Sequence, residues 1–363
     1  MLNRFPENLA NAFPITKQSI QDLMPDDHDL AGTTTEQREK TVLLVIGMHR
    51  SGTSATSGAL QCLGAQLGKR LYAGHEEINA KGYFEHSDIV DANEEALLAI
   101  GSCWDDVLPR KERWWDNELL LPYARTIERL IRRDFANSGI WALKDPRICR
   151  LLPWWLHMLE AGGAKARLLF VLRSPDAVTR SLKKRDGFSE DKSALLWLLH
   201  YLEAERWSRG HPRVFIEFDR LLDAPVEQLA RAERELGVTF PIRPADAASC
   251  LNTFLTADLR HHVTELKTGH SGRIEELAGE LFRILQQKAL QGDGVVEDAE
   301  LDVVWHRLQS IQDACPAHLI EHLNSVAERH GQATLLVGRV TRSWSWYIGK
   351  PIRFFERLIG RDV

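Results

Sequence analysis

The chain has 363 residues, 44% of them hydrophobic and 27% charged, and a formal net charge of −5. That length accommodates one large domain with appendages or two domains, and the negative balance gives no bulk electrostatic case for nucleic acid or an anionic membrane. Five scattered cysteines (Cys62, Cys103, Cys149, Cys250 and Cys315) form no C-x-x-C and no paired spacing, which argues against a zinc site and a secreted disulfide framework and makes a reducing, cytoplasmic location the expectation.

Residues 1–40 read as a short helix and a flexible lead-in, without the apolar core of a signal peptide. No window approaches the roughly 18 apolar residues of a membrane span. At Thr41 the pattern changes. "TVLLVIG" is a buried-strand run closed by Gly47, and "TSATSGALQCLGAQLG" is a helix rich in small residues that ends at Gly68. Gly47 and Gly52 have the spacing of a phosphate-binding loop, G-x-x-x-x-G. The nucleoside-triphosphate version continues with lysine, whereas Thr53 and Ser54 follow here and the basic residue is Arg50. Backbone N–H groups of residues 50–54 at a helix start make an anion cradle, helped by the helix dipole. Arg50 can grip an oxyanion with two N–H groups, and the Thr53 and Ser54 hydroxyls add donors. The alternative is a tight turn whose glycines serve geometry alone.

Residues 69–90 are loop-like, with "HEEINAKGYFEH" at their centre. Helical patterns follow near 88–101 and 118–135. A short strand, "IWALKDPR", feeds the helix "LLPWWLHMLEAGG". A third strand ends at Arg173, with Ser174 as N-cap and Pro175 as first helical residue of the next helix. A further helix spans roughly 190–209, and the strand "PRVFIEF" precedes "DRLLDAP". After about residue 262 the strands stop, and 272–290 and 302–330 read as helices. This alternation predicts an α/β fold, a parallel sheet covered by helices on both faces. The strand ends then open on one edge, which brings Arg50, Lys144 and Arg173 toward one crevice and describes a ligand with more than one anionic group.

The ordered set H-R-S-G-T (49–53), K-D-P (144–146) and Arg173 with Ser181 eight residues on resembles the sulfotransferases that use 3′-phosphoadenosine-5′-phosphosulfate (PAPS). "GMHRSGTS", "KGYFE", "LKDPR" and "KRDGFS" are similar to bacterial members in particular, over roughly residues 41–262. The resemblance implies a three-layer fold like that of the P-loop kinases; beyond it, residues 263–340 are expected to form a helical extension. It implies that His49, Arg50, Ser51, Gly52, Thr53 and Ser54 hold the 5′-phosphosulfate, that Arg173 and Ser181 hold the 3′-phosphate, and that Lys144 lies at the sulfuryl group. In two places the sequence departs from the family: many members carry lysine where Arg50 stands, and relatives often have tyrosine where Phe218 stands.

Sulfuryl transfer, like phosphoryl transfer, passes a group in line between two oxygens, so positioning and positive charge do most of the catalysis. Arg50 and Lys144 are the candidate transition-state stabilisers, and the logic requires no metal. An acceptor hydroxyl needs a base within reach. Glu85 is the first candidate, His86 the second, and Glu76 and Glu77 the third. The expected acceptor is a carbohydrate or similar hydroxyl compound. A degenerate P-loop kinase, with Asp145 holding magnesium, and a non-catalytic anion-binding scaffold are the competing readings. Residues 341–363 are basic and aromatic; from Pro351 they fit an amphipathic helix that packs on the protein or a second copy, or rests on an anionic membrane surface.

Overall fold

The computed structural model describes residues 40–73, 82–256, 259, 273–314 and 317–342. The lead-in up to residue 39, Glu76 and Glu77, and the tail from residue 343 lie outside them. Four parallel strands, β1 (Lys40–Ile46), β2 (Ile140–Lys144), β3 (Ala164–Leu172) and β4 (Arg213–Glu217), form one sheet in the order β2-β1-β3-β4. The chain moves to one side of β1 for β2 and to the other for β3, so its direction switches at the β1/β3 boundary. In an open parallel sheet that is where a crevice forms beyond the strand ends.

Both faces of the sheet are covered, as the continuous apolar runs require. Val42, Leu44 and Ile46 of β1 point into one apolar cluster, and Leu43 and Val45 into the other. The first cluster lies under α2 (Ser87–Ala99), α3 (Leu121–Phe135), α4 (Ile148–Ala161), α6 (Glu190–Ser208) and α10 (Arg273–Gln291). The second lies under α1 (Thr53–Cys62), α8 (Pro225–Leu236) and α9 (Ala248–Phe254). All five β1 side chains from Val42 to Ile46 are fully buried, worth about 1.5–3 kcal/mol each. α5 (Pro175–Asp186) starts as its sequence predicts: the Ser174 hydroxyl accepts from Ala177 N at 3.2 Å, with Pro175 as the first helical residue. The short α7 (Phe218–Asp223) follows β4 directly. α11 (Asp298–Asp313) and α12 (Ala317–Arg342) complete the described chain; Gly331 lets α12 approach the Leu98 carbonyl of α2.

Two expectations are corrected. The helix after the glycine loop stops at Cys62 rather than Gly68, because Gly64 and Gly68 take left-handed φ of +84° and +97° that a helix cannot continue through. Cys62 and Cys250 are joined in a disulfide across a sequence separation of 188. Their distance in sequence hid the pairing, which comes from α9 packing on α1. With it, the support that unpaired cysteines lent to a reducing compartment is gone. Among the described residues no helix is long and apolar enough to cross a membrane.

Candidate active site

The loop between β1 and α1 turns so tightly that two of its glycines are obligatory. A Cβ on Gly47 would stand 2.9 Å from both the Thr53 methyl and the Val171 carbonyl oxygen. Gly52 has φ of +90°, and a Cβ there would come within 2.1 Å of the Phe218 ring. Arg50 is also left-handed, at φ 70°, an uncommon state for a residue with a side chain. The loop is tied down by Ser51 N donating to Met48 O and Gly47 N to the Cys149 sulfur. No side chain caps α1, so the N-terminus of this helix presents its backbone donors to the crevice.

Arg173, at the end of β3, is 6% exposed. Its Nη1 donates to the Arg50 carbonyl oxygen at 3.0 Å, and its guanidinium carbon lies 5.1 Å from the centre of the Phe218 ring. Nε and Nη2, the two donors along one edge of the guanidinium, are buried and have no partner among the described residues. No carboxylate there lies within ion-pair distance of Arg173. Burial lowers its pKa, with Asp219 pulling the other way, yet arginine stays charged at ordinary pH. A buried guanidinium edge of this kind matches the paired oxygens of a phosphate. The Ser181 hydroxyl accepts from Arg50 Nε at 2.8 Å. The structure therefore gathers Arg50, Arg173 and Ser181, with the Arg50 side chain bonded to the Ser181 hydroxyl.

On the other side of β1, Lys144 ends β2 with its side chain 4% exposed. Its ammonium contacts a Glu85 carboxylate oxygen and donates to Ser54 Oγ at 3.1 Å and the Tyr83 carbonyl at 3.2 Å. Glu85 reaches this point because Phe84, at φ 55°, turns the backbone, and its ring packs edge-on to Phe254 of α9. Asp145 is held by donors on both oxygens: Asn93 Nδ2 at 2.8 Å on one, Arg147 N and Nη1 at 3.0 and 3.1 Å on the other. Arg147 is held in turn by Glu94. His86 is spent on structure. Its Nδ1 accepts from Ile89 N to cap α2, and its Nε2 lies 2.7 Å from Asp134 in a pair buried on both sides. Arg133 first, and His86 with it, hold the Asp134 carboxyl well below the usual carboxylate range.

His49 packs its ring on Trp104, centroids 4.4 Å apart, with its Nε2 buried. Burial and the neighbouring Arg147 keep the imidazole well below its ordinary pKa, hence neutral. Sequence reasoning missed Asn93, which no local pattern marks, and the role of Phe218. That residue reads as a lost tyrosine, yet its ring walls both Gly52 and Arg173.

No protein-family model matches the chain, and no curated protein matches it. Solved structures do. A sulfotransferase domain of the Synechococcus PCC 7002 olefin synthase is similar at 14% identity and TM-score 0.40, over 70% of this chain and 98% of that one. A Mycobacterium tuberculosis H37Rv sulfotransferase is similar at 14% identity and TM-score 0.41, over 64% and 75%. The sulfotransferase domain of a curacin biosynthetic pathway is similar at 14% and 0.33, over 75% and 98%. The chain resembles sulfotransferases. The site geometry, rather than these distant likenesses, supports the functional reading.

Proposed function

We propose that this protein transfers a sulfuryl group from PAPS to a hydroxyl acceptor of the carbohydrate class. The observation that carries the reading is the buried Nε–Nη2 edge of Arg173, without a partner among the described residues, at the strand end next to the glycine loop. It supplies a second anion-binding centre beside the first. PAPS carries two separated anionic centres, a 3′-phosphate and a 5′-phosphate–sulfate anhydride. Arg173 and Ser181, with Arg50 bonded to Ser181, fit the former. The loop backbone from Ser51 to Ser54, the Thr53 and Ser54 hydroxyls, and Lys144 beside Ser54 fit the latter. His49, inside the loop stretch, shapes it from beneath.

When bound, PAPS supplies an activated sulfuryl group on a good leaving phosphate. The chain's own residues do the rest. Glu85 takes the acceptor's proton. Lys144, in contact with Glu85 and Ser54, sets positive charge where the transferred oxygens gain negative charge. Tyr83 and Ser54 hold that ammonium in place, and Asn93 and Arg147 fix the Asp145 turn that aims it. The same contacts disfavour a kinase reading, because both Asp145 oxygens are already engaged by N–H donors.

Thermal unfolding with ligands tests the proposal. Adenosine 3′,5′-bisphosphate without magnesium should raise the melting temperature, and ATP should do so weakly. Equal stabilisation by ATP with magnesium overturns the reading.

A further inference from the structure

A second group of buried cations lies beyond His49, on the face of the sheet covered by α4 and α6. Arg150 of α4 is fully buried, and Arg110, in the loop before α3, has a side chain 9% exposed. Arg150 Nε donates to Glu203 at 2.8 Å and Nη1 to the Asp106 carbonyl at 2.8 Å. Arg110 Nη1 donates to the Arg150 carbonyl, and its nearest carboxylate is again Glu203, at 4.0 Å. Two buried guanidiniums thus share one carboxylate. The Asp106 carboxylate is already bonded to Ser102 and to Leu108 N. Arg110 Nε and Nη2, one whole edge, and Arg150 Nη2 are buried without a partner among the described residues. Burial and Arg150 draw the Arg110 pKa down to about 10.

His200 and His49 close the group, ring centroids 6.5 Å apart. His200 gives its Nδ1 proton to the Leu196 carbonyl at 2.8 Å, so its buried Nε2, without a partner among the described residues, presents a lone pair. On α6, His200 precedes Glu203, the partner of Arg150, by one helical turn. The group borders the transfer site through His49, which stands next to Arg50 in the glycine loop. Its unmet bonding is specific: paired oxygens for the Arg110 edge, and a hydroxyl donor for an imidazole lone pair.

We propose that Arg110, Arg150 and His200 bind an oxyanion that carries its own hydroxyl. Two sources share this chemistry. One is free hydrogencarbonate; the other is the carboxylate and neighbouring hydroxyl of an acidic acceptor such as a uronic-acid sugar. The second source rests on the sulfuryl-transfer reading.

The test uses the full chain, with melting temperature followed at fixed ionic strength. Hydrogencarbonate and glycolate should stabilise it saturably, acetate more weakly, and uncharged glycolamide not at all. Arg110→Gln should weaken the glycolate response about tenfold or more and leave stabilisation by adenosine 3′,5′-bisphosphate unchanged. No saturable response, or one that Arg110→Gln retains, overturns the proposal whether or not the protein transfers sulfuryl groups. Should Arg110→Gln fail to fold, a crystal structure of the wild type grown with glycolate decides. A carboxylate on the Nε–Nη2 edge supports the site, and water alone there overturns it. Sulfuryl transfer to glucuronate against glucose separates the sources. A KM at least tenfold lower for glucuronate identifies the acceptor's carboxylate, and equal KM values alongside a saturable hydrogencarbonate response identify the free anion.

Discussion

Arg173 offers the sharpest test of the nucleotide assignment, because its contacts separate cleanly. One N–H serves the protein, through the Arg50 carbonyl, and two buried nitrogens, Nε and Nη2, have no partner among the described residues. Each charge-assisted hydrogen bond is worth about 1.5–3 kcal/mol. Two would give about 3–6 kcal/mol, and the lower end is expected, because Arg173→Lys keeps the charge while losing the planar edge. At about 1.4 kcal/mol per decade, 3 kcal/mol is roughly 100-fold in affinity. Isothermal titration of adenosine 3′,5′-bisphosphate and of AMP, against wild type and Arg173→Lys, closes a cycle in which only the 3′-phosphate differs. The bisphosphate should weaken about 100-fold and AMP by no more than about threefold. Equal losses for both ligands would mean that Arg173 acts through the loop backbone, and the 3′-phosphate assignment would be refuted.

The other expectations concern chemistry, pH and cross-linking. Glu85→Gln should leave nucleotide affinity intact and lower turnover about 100-fold or more, and Lys144→Ala should damage turnover more than binding; near-normal turnover in Glu85→Gln removes the carboxylate from the role. His49 and His200 are buried and neutral, their folded pKa values depressed below the ordinary 6.5. The unfolded chain therefore binds protons first, and stability should fall as pH drops below about 6.5, by up to about 1.4 kcal/mol per unit for each histidine. Urea unfolding at pH 7.5 and 5.5 measures this, and unchanged stability between them contradicts the burial of these rings. The Cys62–Cys250 bridge closes a loop of sequence separation 188, for which the chain-entropy limit is about 5 kcal/mol. Cys250→Ser should lower the denaturation midpoint within that limit, and an unchanged midpoint would show the bridge to be energetically idle.

How much of this was legible in the sequence depends on how far each feature reaches along the chain. The strands were readable because parallel strands buried on both faces are continuous apolar runs, and Val42–Ile46 is one. The Ser174 cap was readable because capping is a contact over three residues. The strand-end cations were readable once the alternation of strands and helices was recognised, since topology alone brings parallel strand ends to one edge. What the sequence withheld was the pairing among them. Nothing local tells Arg50 to turn to Ser181, 131 positions away, or Glu85 to meet Lys144 across 59. His86 and Glu85 are adjacent polar residues in one loop, and only packing separates them. The backbone of α2 claims the first as a cap, while the turn at Phe84 sends the second into the crevice.

Arg110 and Arg150 were invisible for the same physical reason. A solvated arginine and a buried arginine with an unmet edge are the same letter. The difference arises only when α4, α6 and the loop before α3 close over them and leave Glu203 as their shared carboxylate. Burying two guanidiniums with N–H donors unmet costs several kcal/mol unless something else satisfies them. A fold that kept the pair only for packing would be improved by an apolar residue of similar size. The arrangement is therefore better accounted for by what the two arginines bind than by what they hold together, and His49, beside His200 and adjacent to Arg50 in the glycine loop, joins them to the transfer site.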